Sequence, residues 1–139
     1  MLERWLQLTM CVLVMTACGC GGSGPYQTRG RVLKEGAALT VAEPDFVRVV
    51  LVPLPEDGRK VLDWYVAEFN GSDGTFIVKG KDGKGMPPGK YRVALELMKG
   101  RRDAFKGAFD AERSPLVVSV QSSSDEITVD VDKVEQGKK

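Results

Sequence analysis

The clearest pattern in this sequence is an alternation of apolar and polar positions between residues 90 and 98. One face carries Tyr91, Val93, Leu95 and Leu97, and the other carries Arg92, Ala94 and Glu96. Successive side chains of a strand point to opposite faces, so this period of two predicts a half-buried antiparallel β-strand. Residues 70–78 precede it with the turn Asn-Gly-Ser-Asp-Gly and a short apolar run. The stretch 70–98 therefore predicts two neighbouring strands of a β-rich domain.

Similar apolar or alternating runs recur along the chain, separated by residues typical of turns. They cover residues 28–33, 46–54, 61–69, 75–78, 90–98, 116–120 and 127–131. About seven strands at this spacing predict an all-β fold, a seven-stranded antiparallel β-sandwich. One stretch differs, because residues 103–112 suggest a turn of helix with Phe105 and Phe109 four positions apart.

Composition limits what such a domain can do. The chain has 139 residues, 42% hydrophobic and 28% charged, which suits one globular domain with its own core. Its 20 Lys and Arg side chains against 19 Asp and Glu give a net charge of +1, which argues against nucleic acid as a partner. Histidine is absent, which excludes histidine-based triads and most transition-metal sites. We expect no catalytic residues, no metal and no cofactor.

The first 17 residues have the layout of an export signal. A short polar start is followed by an apolar run at 5–17, too short to span a bilayer as a stable helix. The run ends in Met-Thr-Ala-Cys at 15–18, which resembles the lipobox of bacterial lipoproteins, where the cysteine is acylated and becomes the mature N-terminus. We therefore expect a signal peptide at 1–17 and lipidation of Cys18, with Cys20 as the alternative. An ordinary secretory signal and an uncleaved anchor stay open as other interpretations.

Cleavage before Cys18 gives the three cysteines separate fates. Cys11 leaves with the signal peptide and Cys18 is consumed by thioether formation, so Cys20 remains as the only thiol. No internal disulfide is then expected, and the core alone must hold the exported domain together.

The rest of the chain divides by composition into three parts. Residues 18–27 are rich in glycine, serine and proline, which predicts a flexible tether. Residues 28–133 form the β-sandwich domain, and 134–139 form a polar C-terminal tail. We expect the protein on the exported side of the cell envelope, held to the membrane by its lipid.

Several turn and core positions of the predicted domain resemble a known family. In chain order they are Gly30-x-Val32 with Gly36, Asp73-Gly74-Thr75-Phe76, and Gly85-Met86-Pro87-Pro88-Gly89-Lys90-Tyr91-Arg92-Val93. This order is similar to the carboxypeptidase regulatory-like, transthyretin-like (prealbumin-like) β-sandwich, and more narrowly to small bacterial lipoproteins that carry one such domain. The resemblance covers about 28–133 and implies a fold rather than an activity.

The same broad family includes an enzyme branch, the transthyretin-like hydroxyisourate hydrolases. Those enzymes use histidines and end in a tail of the Tyr-Arg-Gly-Ser type. This chain has no histidine and ends Glu-Gln-Gly-Lys-Lys. The comparison therefore argues against an enzyme.

The longest connection without strand character, residues 99–115, is a candidate partner site. It sets Phe105 and Phe109 among Arg101 and Arg102, and apolar anchors inside a charged rim carry much of the energy of an interface. The alternative is that both rings cover the edge of the sheet.

Trp64 and Tyr65 are a second candidate, as rings that could stack on a ligand. Adjacent strand positions face opposite ways, so at least one of them is expected in the core. Tyr91 is a further ring that an exposed platform could include. Residues 70–74 and 80–85 carry the oxygen and glycine patterns of ion or phosphate loops only in part, and we interpret both as turns.

These observations favour a non-catalytic, membrane-anchored envelope lipoprotein whose single β-sandwich is an interaction or structural domain. Its partners would be an envelope protein or a glycan. The alternative is a carbohydrate- or peptide-binding module of the same fold, and a transthyretin-like hydrolase is the least favoured function. An exposed aromatic platform would indicate glycan binding, and an unpaired strand edge would indicate protein partners.

Overall fold

The computed structural model describes residues 24–60 and 62–133. The predicted signal peptide at 1–17, the cysteines Cys18 and Cys20, and the tail at 134–139 lie outside the described residues. Within the described ranges the chain forms nine strands, one short 3-10 turn and no α-helix, so the all-β prediction is confirmed. The strands are β1 (Thr28–Lys34), β2 (Ala37–Ala38), β3 (Phe46–Pro53), β4 (Tyr65–Phe69), β5 (Thr75–Val78), β6 (Gly89–Lys99), β7 (Arg102–Asp103), β8 (Val117–Val120) and β9 (Glu126–Asp130), with the 3-10 turn at Lys81–Gly83.

Hydrogen bonds join these strands into a curled sheet. The strand order is β2-β1-β5-β4-β3-β6-β7, with β9 beside β1 and β8 beside β6. The pairings are antiparallel except that of β1 with β9, which is parallel. Val32 of β1 and Leu95 of β6 belong to the same buried cluster although their strands are far apart in this order. The sheet therefore folds over on itself, which is consistent with a β-sandwich.

The alternating strand predicted at 90–98 is confirmed as β6. Its inward side chains are at most 3% exposed, and they are Tyr91, Val93, Leu95 and Leu97. The strand pairs along its length with β3, from Phe46 opposite Met98 to Pro53 opposite Tyr91. Burial on one face and this full-length pairing make β3 and β6 the centre of the fold.

Two glycines let neighbouring segments approach more closely than a side chain would allow. A Cβ atom on Gly30 would overlap the ring of Phe76, and one on Gly85 would overlap the backbone of Tyr26. The close approach at Gly85 accompanies a bridge in which Tyr26 and Met86 exchange backbone hydrogen bonds of 3.1 and 2.9 Å. Backbone pairing thus begins at Tyr26, inside the range assigned to the tether by composition.

The strand predicted at 61–69 is shorter in the structure, where β4 begins at Tyr65. Leu62 is 85% exposed and Trp64 is 57% exposed. The β3–β4 pairing covers only three residues of each strand and ends where Leu51 meets Tyr65. Residues 62–64, just before that pair, lie opposite no other described strand.

The turn of helix suggested for residues 103–112 is wrong. Lys106 and Gly107 have φ angles of 53° and 74°, outside the right-handed helical region. The side chain of Asp103 instead accepts the backbone N–H groups of this segment, and a series of turns results.

The strand registers place the first described residues at one end of the domain. β1, β6 and β9 begin there, and β3, β5 and β8 end there, because Thr28 lies opposite Val78 and Gly89 opposite Val120. We call this the tether end, and it includes the loops at 54–64, 79–88 and 121–125. The opposite end, where β3 begins, is the far end.

Candidate functional site

A groove of about 670 Å³ crosses the outer face of β9, β1, β5 and β4. Its central row contains one residue from each strand, because Glu126 lies opposite Arg29, Arg29 opposite Ile77, and Ile77 opposite Glu68. Most of the remaining lining is polar, and includes Gln27, Asn70, Thr75, Ser123, Ser124 and Asp125. With Phe69 and Ile77 also in the lining, the groove is suited to an extended ligand or protein surface of mixed polar and apolar character.

An ion pair lies on each side of this groove, and one cation between the two pairs has no such partner among the described residues. Arg31 Nε lies 3.1 Å from Glu126 Oε1, and Lys79 Nζ lies 2.6 Å from Glu68 Oε2. Arg29 is exposed between these pairs and makes no ion pair with another described residue. A guanidinium in this position can bind a carboxylate of a partner through two parallel hydrogen bonds.

The rim of the groove at the tether end is held by Asp125. Its Oδ2 accepts the backbone N–H groups of Gln121 at 2.7 Å and Ser122 at 2.9 Å. These hydrogen bonds hold the pKa of Asp125 below its ordinary value. The carboxylate therefore fixes the loop that presents Ser123 and Ser124 to the groove.

A second surface lies along β4 and carries unusual apolar exposure. Leu62, Trp64 and Val66 alternate along the chain and are 85%, 57% and 63% exposed. Beside them is a cleft of about 390 Å³ lined by residues 63–66 together with Gly80 and Lys81. We call residues 62–66 the open edge.

Within the open edge only Tyr65 and Val66 lie opposite β3, and no described strand pairs with them on the other side. In an antiparallel pair, every second residue exchanges backbone hydrogen bonds with the residue opposite. Leu54 N donates to Lys90 O, so Val50, four residues earlier, also directs its backbone N–H and C=O toward β6. Tyr65 and Ala67 thus bond to β3, and the N–H and C=O of Val66 point the other way. The β4–β5 ladder does not reach this position, because it stops at Glu68 and Ile77.

The carbonyl oxygen of Lys79, which could have continued the β4–β5 ladder, already accepts another hydrogen bond. Lys79 would be the next residue of the β5 side, but its carbonyl oxygen accepts the N–H of Gly85. The chain therefore turns away from β4 at this point and leaves the cleft. Because β5 pairs with β4 from Glu68 onward, this gap leaves the backbone N–H and C=O of Val66 open beside apolar side chains, where a bound peptide could reach them.

The two rings predicted to stack on a ligand are separated by the structure. Trp64 is exposed, whereas Tyr65 is half-buried and meets the ring of Tyr91 edge-on, with centroids 6.0 Å apart. Burial, followed by the charge of Asp63, raises the pKa of Tyr65. Trp64 alone offers a largely free ring at this position.

Tyr91 cannot serve in an exposed platform, because it is 3% exposed. Its hydroxyl donates to the carbonyl oxygen of Pro87. Burial raises the pKa of Tyr91 to about 12. The ring is thus a core residue that also fixes the Pro-Pro bend.

The segment 99–116 packs along the edge of the sheet beside β6, which is the arrangement of the second alternative given for residues 99–115. Phe109 is 6% exposed and Phe105 is half-buried, and the two rings meet edge-to-face with centroids 5.1 Å apart. Phe109 therefore belongs to the core and is not a free partner contact. Arg101 and Arg102 are exposed near the turn between β6 and β7, and their contact with a partner stays a prediction.

Asp103 organises the first half of this segment. Its Oδ1 accepts the N–H of Leu97 at 3.1 Å and of Phe105 at 3.0 Å, and its Oδ2 accepts that of Gly107 at 2.8 Å. One carboxylate thus satisfies three backbone donors, including one on β6.

The second half of the segment bonds directly to β6. Leu95 N donates to Phe109 O at 2.9 Å, and Val93 N donates to Leu116 O at 2.8 Å. The hydroxyl of Ser114 donates to the carbonyl of Val93 at 2.6 Å. The segment therefore occupies the place of a strand between β8 and β7, and we call it the closed edge.

The two polar glycine-rich stretches are turns. Asn70 Oδ1 accepts the N–H of Ser72 at 3.0 Å, and Asp73 Oδ1 accepts that of Thr75 at 3.0 Å. The hydroxyl of Thr75, followed by its backbone N–H, lowers the pKa of Asp73. At 80–85, Gly80 and Gly85 lie too close for any side chain.

No group of three or more Cys, Asp or Glu side chains in 24–60 and 62–133 is arranged to hold a metal ion. The same ranges contain no helix long and apolar enough to cross a membrane.

Comparisons with known protein families, with curated proteins and with solved structures find no match to this chain.

Sequence reasoning missed the groove because its sides come from distant parts of the chain. Arg31 and Glu126 are 95 residues apart, and β1 and β9 meet through a parallel pairing that the sequence did not indicate. The available signal was the alternation of outward polar residues at Gln27, Arg29 and Arg31.

Proposed function

We propose that this protein is an exported, non-catalytic lipoprotein of the cell envelope, anchored by acyl chains on Cys18. In this proposal the domain binds an envelope protein in the groove centred on Arg29. The Met-Thr-Ala-Cys ending of the apolar N-terminal run supports the anchor, and the absence of histidine supports a binding rather than a catalytic role.

The fold within this proposal is a transthyretin-like, carboxypeptidase regulatory-like β-sandwich. Seven of the strands have four residues or more, at positions near the seven runs that the sequence indicates. The curled, mostly antiparallel sheet supports such an architecture.

The observation that carries the binding proposal is the course of the groove. It runs along the side of the domain, from Ser123 and Ser124 at the tether end to Asn70 at the far end. A side surface remains open to water when the lipid holds the tether end near the bilayer. The exposed guanidinium of Arg29 at its centre gives a partner carboxylate a defined position.

Mass spectrometry of the mature N-terminal peptide tests the anchor. Acyl chains on Cys18 are expected, and since each buried CH₂ contributes ~0.8 kcal/mol, two or more chains hold the protein firmly. An unmodified Cys18 in membrane-extracted protein would contradict the anchor, and acylation of Cys20 would move it by two residues.

Capture of partners from detergent-solubilised envelope, with the lipidated protein as bait, tests the groove. Arg29→Glu is expected to abolish the retention of a specific partner. Arg48→Glu is the matched control, because Arg48 lies on the outer face of β3 beside Glu96 at 3.3 Å. Equal retention by both variants and the wild type would show that the groove is not the binding surface.

A carbohydrate- or peptide-binding module of the same fold is the second candidate. The observation that favours it is the open edge, where Val66 has unpaired backbone groups and Trp64 presents a ring. A peptide would bond to the N–H and C=O of Val66, and a sugar would stack on the indole. Loss of a ligand on Trp64→Ala, with retention on Arg29→Glu, would favour this candidate over the groove.

A further inference from the structure

We propose that the tether end rests on the phospholipid bilayer through Leu62 and Trp64, so that the domain has a second, non-covalent membrane contact. This inference depends on the proposed lipid anchor at Cys18. It adds an orientation for the domain and a partner for the open edge that the anchor alone does not specify.

The short distance between the anchor and the domain limits how the domain can lie on the membrane. Six residues, 18–23, separate the acylated end from Gly24, the first described residue. Six residues span at most about 20 Å when fully extended. A domain of roughly 100 residues has a radius of gyration of about 13 Å, so its diameter exceeds this reach. The end that carries Gly24 must therefore stay next to the bilayer.

The exposed apolar residues lie close to that end of the domain. Tyr26 packs against Gly85, and Gly85 forms a bridge with Gly80. Gly80 lines the same cleft as Trp64, and Leu62 precedes Trp64 by two residues. A single cleft thus separates Leu62 and Trp64 from the segment at Tyr26, near which the chain leaves the domain toward the membrane.

The chemistry of the two side chains suits a membrane interface. Tryptophan is enriched at membrane interfaces, where its ring meets both apolar chains and polar headgroups. Leu62 is 85% exposed, which gives a second apolar side chain of the kind that enters the boundary between headgroups and chains. Lys60 and Lys81 are exposed nearby, but Asp63 lies between Leu62 and Trp64. The contact therefore depends on the apolar side chains more than on charge.

The mature protein carries its own probe for this contact. The chain has two tryptophans, Trp5 and Trp64, and Trp5 leaves with the signal peptide. The lipidated protein is reconstituted into vesicles of phosphatidylethanolamine and phosphatidylglycerol, with or without bromine on the acyl chains. We expect the emission of Trp64 to shift to shorter wavelength and to lose most of its intensity when the chains are brominated.

Two variants make the measurement specific to the tether end. Moving the tryptophan to the far end, as Trp64→Phe with Phe46→Trp, should abolish quenching, because Phe46 is at the start of β3 and is 48% exposed. Leu62→Asp keeps the probe and should reduce its quenching by bromine. Circular dichroism of each variant confirms that the fold is retained.

The outcomes separate this inference from the proposed function. Acylated Cys18 with an unquenched Trp64 overturns the membrane contact and leaves the anchor standing. A second copy or another protein covers the open edge if the emission of Trp64 is blue-shifted and is quenched neither by bromine nor by aqueous iodide. That result also overturns the membrane contact. Equal quenching of tryptophan at positions 64 and 46 overturns it as well. Absence of acylation removes both the anchor and the contact.

Discussion

The two edges beside the centre of this sheet are finished in opposite ways. Along β6, the closed edge supplies backbone acceptors, the carboxylate of Asp103 and the ring of Phe109. Along β4, the open edge leaves Val66 with unpaired backbone groups and exposes Leu62 and Trp64. Aromatic residues close to charged residues occur at both places in the sequence, and only the structure separates them.

The difference shows that an aromatic residue in a long connection acquires its role from the hydrogen bonds around it. Leu95 N and Val93 N on β6 need acceptors, and the 99–116 segment provides them, which draws Phe109 inward. Residues 62–64, before Tyr65, meet no comparable set of backbone donors, because β3 pairs with β4 only as far as Leu51. Stability is therefore expected to depend on the closed edge, and the proposed membrane contact on the open one.

The largest effect is expected from a matched pair of aromatic truncations. Phe109→Ala should lower the free energy of unfolding by about 3–5 kcal/mol, because it empties a buried site beside Phe105. Trp64→Ala should change it by less than about 0.5 kcal/mol, because the ring is mainly in solvent. Urea unfolding of both variants measures the two values. Similar losses for the two would mean that the edges do not differ.

The next effect concerns the carboxylate that organises the closed edge. Asp103→Ala leaves the N–H groups of Leu97, Phe105 and Gly107 without their acceptor, and a cost of about 1–3 kcal/mol is expected. Asp63→Ala at the open edge is the control and should be close to neutral. A stable Asp103→Ala variant would show that water or other acceptors replace the side chain.

A smaller effect is expected on acid stability. Hydrogen bonds from the Arg113 side chain, and then from its backbone N–H, hold the pKa of Asp110 below its usual 3.8. A depressed pKa in the folded state contributes stability above pH 3.8, and this contribution is lost as the pH falls through the folded value. Asp110→Asn should therefore be less sensitive to acid than the wild type in thermal melts between pH 5 and pH 2. An unchanged slope in that range would remove Asp110 from the acid response.

Alkaline titration of the tyrosines should give the smallest effect. All three tyrosines of the chain have raised pKa values, and burial is the largest cause for each. Their neutral forms contribute stability that is complete below pH 10 and is lost as the pH rises toward about 12, the pKa of Tyr91. Ultraviolet absorbance should show little tyrosinate at pH 10 in the folded protein. Full ionisation at that pH, with the fold intact, would contradict the burial of these rings.

The sequence was most informative where a pattern is local. Alternation identified β6 correctly, and the turn at 70–74 follows from Asn70 and Asp73, whose side chains bond to nearby backbone. The all-β class follows from repetition of such local signals. Each of these features depends on residues only a few positions apart.

The sequence was uninformative where distant segments meet. The parallel pairing of β1 with β9, which brings Glu126 to Arg29, has no local signature. The helix suggested at 103–112 failed because Asp103 competes for the backbone N–H groups of Phe105 and Gly107. That Trp64 and Tyr65 face opposite ways follows from alternation along a strand, but the residue at which β4 begins depended on where the β3 pairing stops, which spacing along the chain does not reveal.

Amide hydrogen exchange tests the contrast between the two edges most directly. The N–H groups of Val93 and Leu95 donate to the closed edge, and the N–H of Val66 points into the cleft beside the open edge. We expect Val93 and Leu95 to exchange only through global unfolding, and Val66 to exchange faster by several orders of magnitude under the same conditions. Protection of Val66 equal to that of Leu95, in the isolated protein without lipid or partner, would show that the β4 edge is already paired and would contradict the account.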